Sequence, residues 1–320
     1  MKIKILPLKD INFQDERFRI SYYFSLEKLS LSIKEIGLIQ PPLVSVLDKQ
    51  FVLVTGWKRV LACRQLGLSA LPCWIVTGSN PLRLFLMAFY ENLTTREFSL
   101  LEKAEIIKKL KGFGEEERKI IRFYLPLLGL PAANYYFKIY LKFSDFEPEF
   151  KVFIHEKNMS FHCLELSANF DSWERKLLIP WLRVVGHNKQ KEILEYLHEI
   201  SVRDGLTAKH LLNSKEIKEI ANSKNLSPLQ KANKLRLFLR KKRYPKLHSL
   251  QLAFNSWLKK ISWPKQVEID HTPYFESDEL KVNFKFKNKQ EFKNNLLKLQ
   301  KVVNQEKFSE IFNLNLNEND

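Results

Sequence analysis

The sequence predicts an α+β chain in three parts: a small α+β domain over residues 1–96, an all-helical domain over 97–222, and a C-terminal unit over 223–312 made of a basic helix followed by strand, strand and helix. Residues 313–320, rich in Asn, are expected to be a disordered tail. Three observations carry this. Short apolar runs alternate with amphipathic stretches up to about residue 95. Only helical periodicity follows, to about residue 222. Alternation of apolar and charged residues then returns at Gln266–Asp270 and Leu280–Lys287.

Residues 3–8 read as a strand. Residues 25–36 read as a helix with Leu26, Leu29, Ile33 and Ile36 on one face and Gly37 as its stop. Leu43–Leu47 and Phe51–Thr55, parted by Asp48-Lys49, give a hairpin signal. Gly56 opens a helix that ends at Gly67; Pro72–Val76 is a strand and Pro81–Leu93 a helix. Ser99 and Glu102 form a capping box for a helix to about Gly112. In the helical part, Ser172 reads as an N-cap. Ser227-Pro228 puts proline at the first position of a helix that runs to Tyr244-Pro245, with Leu229, Ala232, Leu235, Phe238 and Leu239 as core candidates. Another helix covers about Leu247–Ile261. The last spans 289–303, with Phe292, Leu296, Leu299 and Val303 on one face.

Charge narrows the function classes. Lys and Arg number 53 against 36 Asp and Glu, a net charge of +17. Residues 220–267 hold twelve Lys or Arg and no acid. Such a block repels itself unless an anion neutralises it: duplex DNA first, an anionic membrane second, with a solvated basic helix as the plain alternative. Lys234, Arg236, Arg240, Lys241, Lys242 and Arg243 are its candidate phosphate contacts. The N-terminus lacks the apolar run of a signal peptide, no uncharged stretch suits a membrane span, and the three cysteines have neither disulfide-framework nor zinc spacing. A cytoplasmic setting is therefore expected. P-loop and GxGxxG patterns are absent, and the seven histidines form no metal cluster.

Four pieces of the first domain belong together: the Ile11–Arg19 loop, Ser32–Pro41, Thr55-Gly56-Trp57-Lys58-Arg59-Val60-Leu61-Ala62, and Glu91-Asn92 at a helix end. In the third, a glycine at a strand-to-helix junction allows close backbone approach. The next amides point outward with the helix dipole behind them, and Lys58 and Arg59 add positive charge, which suits phosphate. By physics alone such a turn is as often only a turn.

In order and spacing, S-I-x-x-x-G-[IL]-[IL]-Q-P, a hairpin, G-x-[KR]-R-x-x-A and a lone E-N resemble the N-terminal domain of the ParB family of chromosome and plasmid partition proteins, a fold shared with sulfiredoxins. Gly56, Lys58, Arg59 and Ala62 resemble its GERRxRA box, and Glu91-Asn92 its ENxxR box. More faintly, the helices that follow resemble a degenerate helix-turn-helix. Glu147–Ser160 resembles the segment after it, and Val267–Val303 resembles the layout of a C-terminal dimerisation domain.

The resemblance implies a dimeric DNA clamp operated by CTP with Mg2+, whose partners are double-stranded DNA and a ParA-like ATPase. Carried over, Thr55, Gly56, Lys58 and Arg59 would meet phosphates, Arg19 would match the loop arginine and Gln40 would stand at the pocket entrance. Asn92 would reach metal or phosphate, and Glu91 would position metal or activate water in slow hydrolysis. Two positions depart from the pattern. Trp57 replaces an acid, and Lys58 replaces a bidentate arginine by a point charge. The arginine expected four after Glu91 is Thr95; Arg96 lies one residue late, about 100° round a helix unless the helix has ended. CTP, ATP, another phosphate ligand and no ligand therefore stay open.

In the helix-turn-helix, Pro131–Lys138 is the reader candidate, yet only Asn134 and Lys138 suit base edges and its aromatics look like core, so weak operator reading is expected. Cys63, inside the helix after Gly56, is expected to be a buried thiol rather than a sulfinic-acid reductase nucleophile. Three functions follow: a nucleotide-responsive DNA-binding protein, a non-enzymatic adaptor with a vestigial pocket, or an enzyme on the same pocket. The absence of a second carboxylate beside Glu91 argues against a nuclease.

Overall fold

The protein is described by a computed structural model covering all residues except 79, 265, 273, 274, 276, 278 and 314–320. The expected tail therefore lies outside the described residues, apart from Asn313.

The first part is the expected α+β arrangement. Strands β1 (Lys2–Pro7), β2 (Ile11–Asn12), β3 (Leu43–Leu47), β4 (Gln50–Thr55) and β5 (Ala70–Val76) form one sheet in the order β1-β5-β3-β4-β2. β1 pairs antiparallel with β5 and β3 with β4, while β3–β5 and β2–β4 are parallel. Helix α1 (Glu27–Ile36) joins β2 to β3, α2 (Trp57–Gln65) joins β4 to β5, and α3 (Pro81–Leu93) follows β5. The hairpin turn is made by Asp48 and Lys49, both at positive φ (52° and 62°), the backbone twist that a two-residue hairpin loop needs. Gly37 ends α1 at φ 77°. Val44, Leu53, Val60, Ala62, Cys63 and Cys73 are fully buried at the centre of this core. Burial raises the pKa of Cys63 and pushes that of Cys73 up to about 11, so both are inert packing thiols.

Helices follow: α4 (Leu100–Gly112), the short α5 (Glu117–Lys119) and α6 (Leu125–Leu127) joined through a π turn at Ile120–Tyr124, then α7 (Asn134–Ser144), α8 (Pro148–Lys157), α9 (Phe161–Ser167), α10 (Ser172–Leu182) and α11 (His187–Asp204). The capping box of α4 is present: Ser99 accepts from the Glu102 amide and Glu102 from the Ser99 amide. One cap differs from expectation. Asp171, not Ser172, caps α10, because its carboxylate accepts the Glu174 amide at 2.8 Å while Glu174 accepts the Asp171 amide. An aspartate one residue earlier completes the box, which Ser172 could not.

The chain divides into two compact units, 1–194 and 195–320. Within the first, α4 is tied to the sheet domain. Lys109 donates to the carbonyls of Glu16 (2.8 Å) and Arg19 (2.5 Å), and Phe18 stacks on Phe113. The second unit holds α12 (Ala208–Leu212), α13 (Lys215–Asn222), α14 (Pro228–Arg243), α15 (Pro245–Lys260), β6 (Val267–His271), β7 (Leu280–Phe284) and α16 (Lys289–Val303). β6 and β7 pair antiparallel. Phe254, Trp257, Ile261, Phe275, Val302 and Ile311 make a core of their own. Ser227 and Gln230 form a capping box at α14. Ala232, Leu235 and Leu239 are buried as expected, but Leu229, in the first turn, is 47% exposed.

Candidate functional site

The site begins at the β4–α2 junction. Gly56 has φ 84° and ψ 21°, a left-handed conformation that costs a side chain dearly. A Cβ there would also lie 2.8 Å from Pro42 Cβ and 3.1 Å from its Cα. The two ordered motifs thus meet: the chain at Pro42, just after Gln40-Pro41, presses its Cα and Cβ on the turn so closely that only glycine fits. Gly56→Ala is expected to cost about 2 kcal/mol of stability from strain and clash together. A thermal melt beside wild type checks this, and an unchanged midpoint would refute it.

From that turn α2 projects Lys58 and Arg59 into a cavity of about 750 Å3. Its walls also include Gln40, Thr55, Gly56, Glu91, Asn92 and Arg96, so the loop, the turn and the end of α3 meet in one place. Arg59 donates to the Gln40 carbonyl (2.9 Å) and pairs with Glu91 (2.5 Å). Asn92 donates to the Ala88 carbonyl and accepts from Arg96 Nε at 3.1 Å. α3 has ended at Leu93 with Thr94 as its cap, so the rotation argument does not apply and Arg96 turns back to line the cavity. Thr95 lines it too, its hydroxyl donating to the Glu91 carbonyl at 3.1 Å.

Arg19 is placed elsewhere. It is not among the residues lining the cavity. Its guanidinium pairs with Glu16 and lies 4.6 Å from the Tyr22 ring and 5.0 Å from that of Trp57. Trp57, where the family pattern has an acid, therefore meets a cation through its ring face. That ring is buried and lines the cavity.

Sequence reasoning missed two participants. Ser21 lines the cavity and donates to Glu102 (2.6 Å); Arg96 donates to both Ser21 (2.7 Å) and Glu102 (2.9 Å). Glu102, legible only as a helix cap, is thus also the counter-ion of Arg96. Burial opposes its charge, but Arg96, Ser21 and the Ser99 amide outweigh that and hold its pKa below the usual carboxylate range. Nothing local joins Ser21 to Glu102 across 81 residues. Lys58 has the opposite balance: burial first, then the nearby Arg96, depress its pKa, against a smaller pull from Glu102.

No group of three His, Cys, Asp or Glu able to hold a metal occurs among the described residues. Glu91 and Asn92 suit a magnesium ion only as junior partners of ligand phosphates, the usual way that ion is held. On α7, Asn134 and Lys138 are exposed, as reader side chains would be. Phe137 is core as expected, whereas Tyr136 is half-buried and Tyr135 is 47% exposed. On α14, Lys234, Arg240 and Lys241 are exposed and Arg236, Lys242 and Arg243 half-buried. Arg243 pairs with Glu199, and Arg203 donates to the carbonyls of Lys242 and Arg243. No helix among the described residues is long and apolar enough to cross a membrane.

A five-stranded mixed sheet with a cation-lined cavity on a strand–glycine–helix turn defines an α+β domain class in which three ordered sequence motifs converge. Residues 1–93 match the family model of the ParB N-terminal domain, and the chain is ParB-like through that domain. It is 25% identical over 213 residues to a probable chromosome-partitioning protein ParB of Borreliella burgdorferi, covering 65% of this chain and 79% of that protein. A protein of the same description from Campylobacter jejuni is 34% identical over 87 residues, 27% of this chain and 31% of that one. Among solved structures, a C-terminally truncated ParB of Caulobacter crescentus complexed with CTP-γ-S aligns with a TM-score of 0.27 at 19% identity, over 56% of this chain and 99% of that one.

Proposed function

We propose that the chain is a ParB-like DNA-binding protein whose first cavity takes a nucleoside triphosphate, CTP foremost, and whose basic C-terminal third carries duplex-DNA phosphate contacts. The observation that supports this best is the convergence of Gly56, Lys58, Arg59, Asn92 and Arg96 on one cavity, from motifs up to 40 residues apart. The first amides of α2 and three cations favour a polyanion there. Arg59 would exchange its carboxylate, Glu91, for a phosphate. Asn92 and Glu91, with phosphate oxygens, would hold a Mg2+ that neutralises ligand charge. Glu91, as the lone acid there, supports slow hydrolysis at most. Homodimerisation, a ParA-like ATPase partner and a role in partition belong to the same reading and rest on the family likeness.

Weak sequence reading by α7 leaves the phosphate contacts to the block at 220–267. The test is a calorimetric titration of the full chain with CTP and then ATP, each with magnesium and duplex DNA. Saturable CTP heat is expected. No heat with either nucleotide would overturn the nucleotide reading in favour of a DNA- or protein-binding adaptor with a vestigial pocket.

A further inference from the structure

The sheet of the first domain has one half-face and one edge that the fold leaves open. On β5, Leu71, Cys73 and Ile75 belong to the core shared with α1 and α2, so Pro72 and Trp74 lie on the opposite face. The antiparallel register sets Ile5 across from Pro72 and Ile3 across from Trp74, on that same face. Further along it, Leu43 and Val54 are buried and α3 packs on β4. Among the described residues nothing covers the β1 end in that way: Ile3 is 55% exposed, Ile5 70% and Trp74 37%.

β1 is also the last strand of the sheet. Among the described residues it pairs with β5 alone, so the N–H and C=O groups along its other side meet no strand. Lys2, Ile3, Lys4 and Ile5 are all exposed, so neither loop nor helix shields that edge. Lysine and isoleucine alternate there, which puts the cations on one face and the apolar pair on the other. The Lys4 ammonium lies 6.0 Å from the Phe51 ring, a neutral neighbour. Neither lysine forms an ion pair among the described residues, and neither β1 nor β5 contains an acidic residue. A second copy of the chain suits this edge poorly: two β1 strands paired antiparallel about Lys4 set lysine opposite lysine.

We infer that the β1 edge docks an extended segment of a partner protein in which apolar and acidic residues alternate. The segment adds a sixth strand to the five-stranded sheet. Its backbone pairs with the free edge, its apolar side chains lie beside Ile3, Ile5 and Trp74, and its carboxylates stand beside Lys2 and Lys4. Main-chain bonds supply affinity, and the alternation supplies selectivity. The edge needs no nucleotide in the first cavity, so it stands or falls apart from the nucleotide reading.

Fluorescence anisotropy of the full-length chain with a fluorescein-labelled peptide, Ser-Val-Glu-Val-Glu-Val-Glu-Ser, tests this. Saturable binding is expected. The same peptide with lysine for glutamate should bind about tenfold more weakly, from like charges across the pair. Methylating the peptide's backbone amides removes the ladder bonds and should abolish binding. Ile5→Asn should weaken binding about fivefold by removing apolar contact. Lys2→Glu with Lys4→Glu should reverse the preference between the two peptides. All three side chains are exposed, and a thermal melt identifies a variant that has lost its fold; the methylated peptide on wild type then carries the test. No binding by wild type overturns the inference and leaves β1 a guarded edge. An acidic peptide that tolerates methylation, or that binds the folded double variant as well as wild type, also overturns it, because it sits elsewhere on a chain of net charge +17. Sedimentation examines the rival occupant: a dimer that Ile5→Asn splits makes a second copy the partner of this edge and overturns the inference too.

Discussion

Arg59→Ala is expected to reduce CTP affinity by at least a hundredfold, about 2.7 kcal/mol, while leaving duplex-DNA affinity unchanged. The size follows from position. Arg59 is the cavity cation held on both sides, by the Gln40 carbonyl and by Glu91, so its guanidinium is already aimed before any ligand arrives. Truncation removes a fixed bidentate donor and also leaves Glu91 without its partner, a second negative group facing a polyanion. Arg59→Lys keeps the charge but not the fork, and should recover only part of the loss. Calorimetry with CTP and magnesium measures both variants. An affinity within threefold of wild type for Arg59→Ala would exclude Arg59 from the phosphate site.

Charge reversal at Arg240, Lys241 and Lys242 to Glu is expected to reduce duplex-DNA binding at 100 mM salt by two orders of magnitude or more and to spare CTP binding. Arg243 is left out because it pairs with Glu199, so its charge is partly spent inside the protein. If the block neutralises six phosphates, log affinity should fall against log salt with a slope of about −5 in wild type, and with a shallower slope in the variant. Fluorescence anisotropy on a labelled duplex over a salt series gives both numbers. A wild-type slope near zero, or a variant with wild-type affinity, would make the block a solvated face.

The sequence exposed the scaffold well because its signals were local. Apolar runs flanked a two-residue turn at Asp48-Lys49, Pro81 stood at a helix start, and Ser99–Glu102 and Ser227–Gln230 stood at capping spacing. The motifs at Gln40, Gly56–Arg59 and Glu91-Asn92 were also readable one by one, and the structure gathers them around one cavity. What was hidden depends on distance in the chain. Ser21 and Glu102 each look ordinary, and only the fold makes them partners of Arg96. Arg19 was read from its position in a loop, but the Trp57 ring beside its guanidinium is remote in the chain and becomes a neighbour only after folding. Leu229 illustrates the converse: periodicity marks a face, while burial needs a neighbour on it.

The contact between Pro42 and the Gly56 turn has a consequence for how this domain can change over generations. Every residue has a Cα and all but glycine a Cβ, so the crowding outlasts the proline itself. The left-handed backbone at 56 is a second bar that no change at 42 lifts. Position 42 can therefore drift among side chains over generations while position 56 stays glycine.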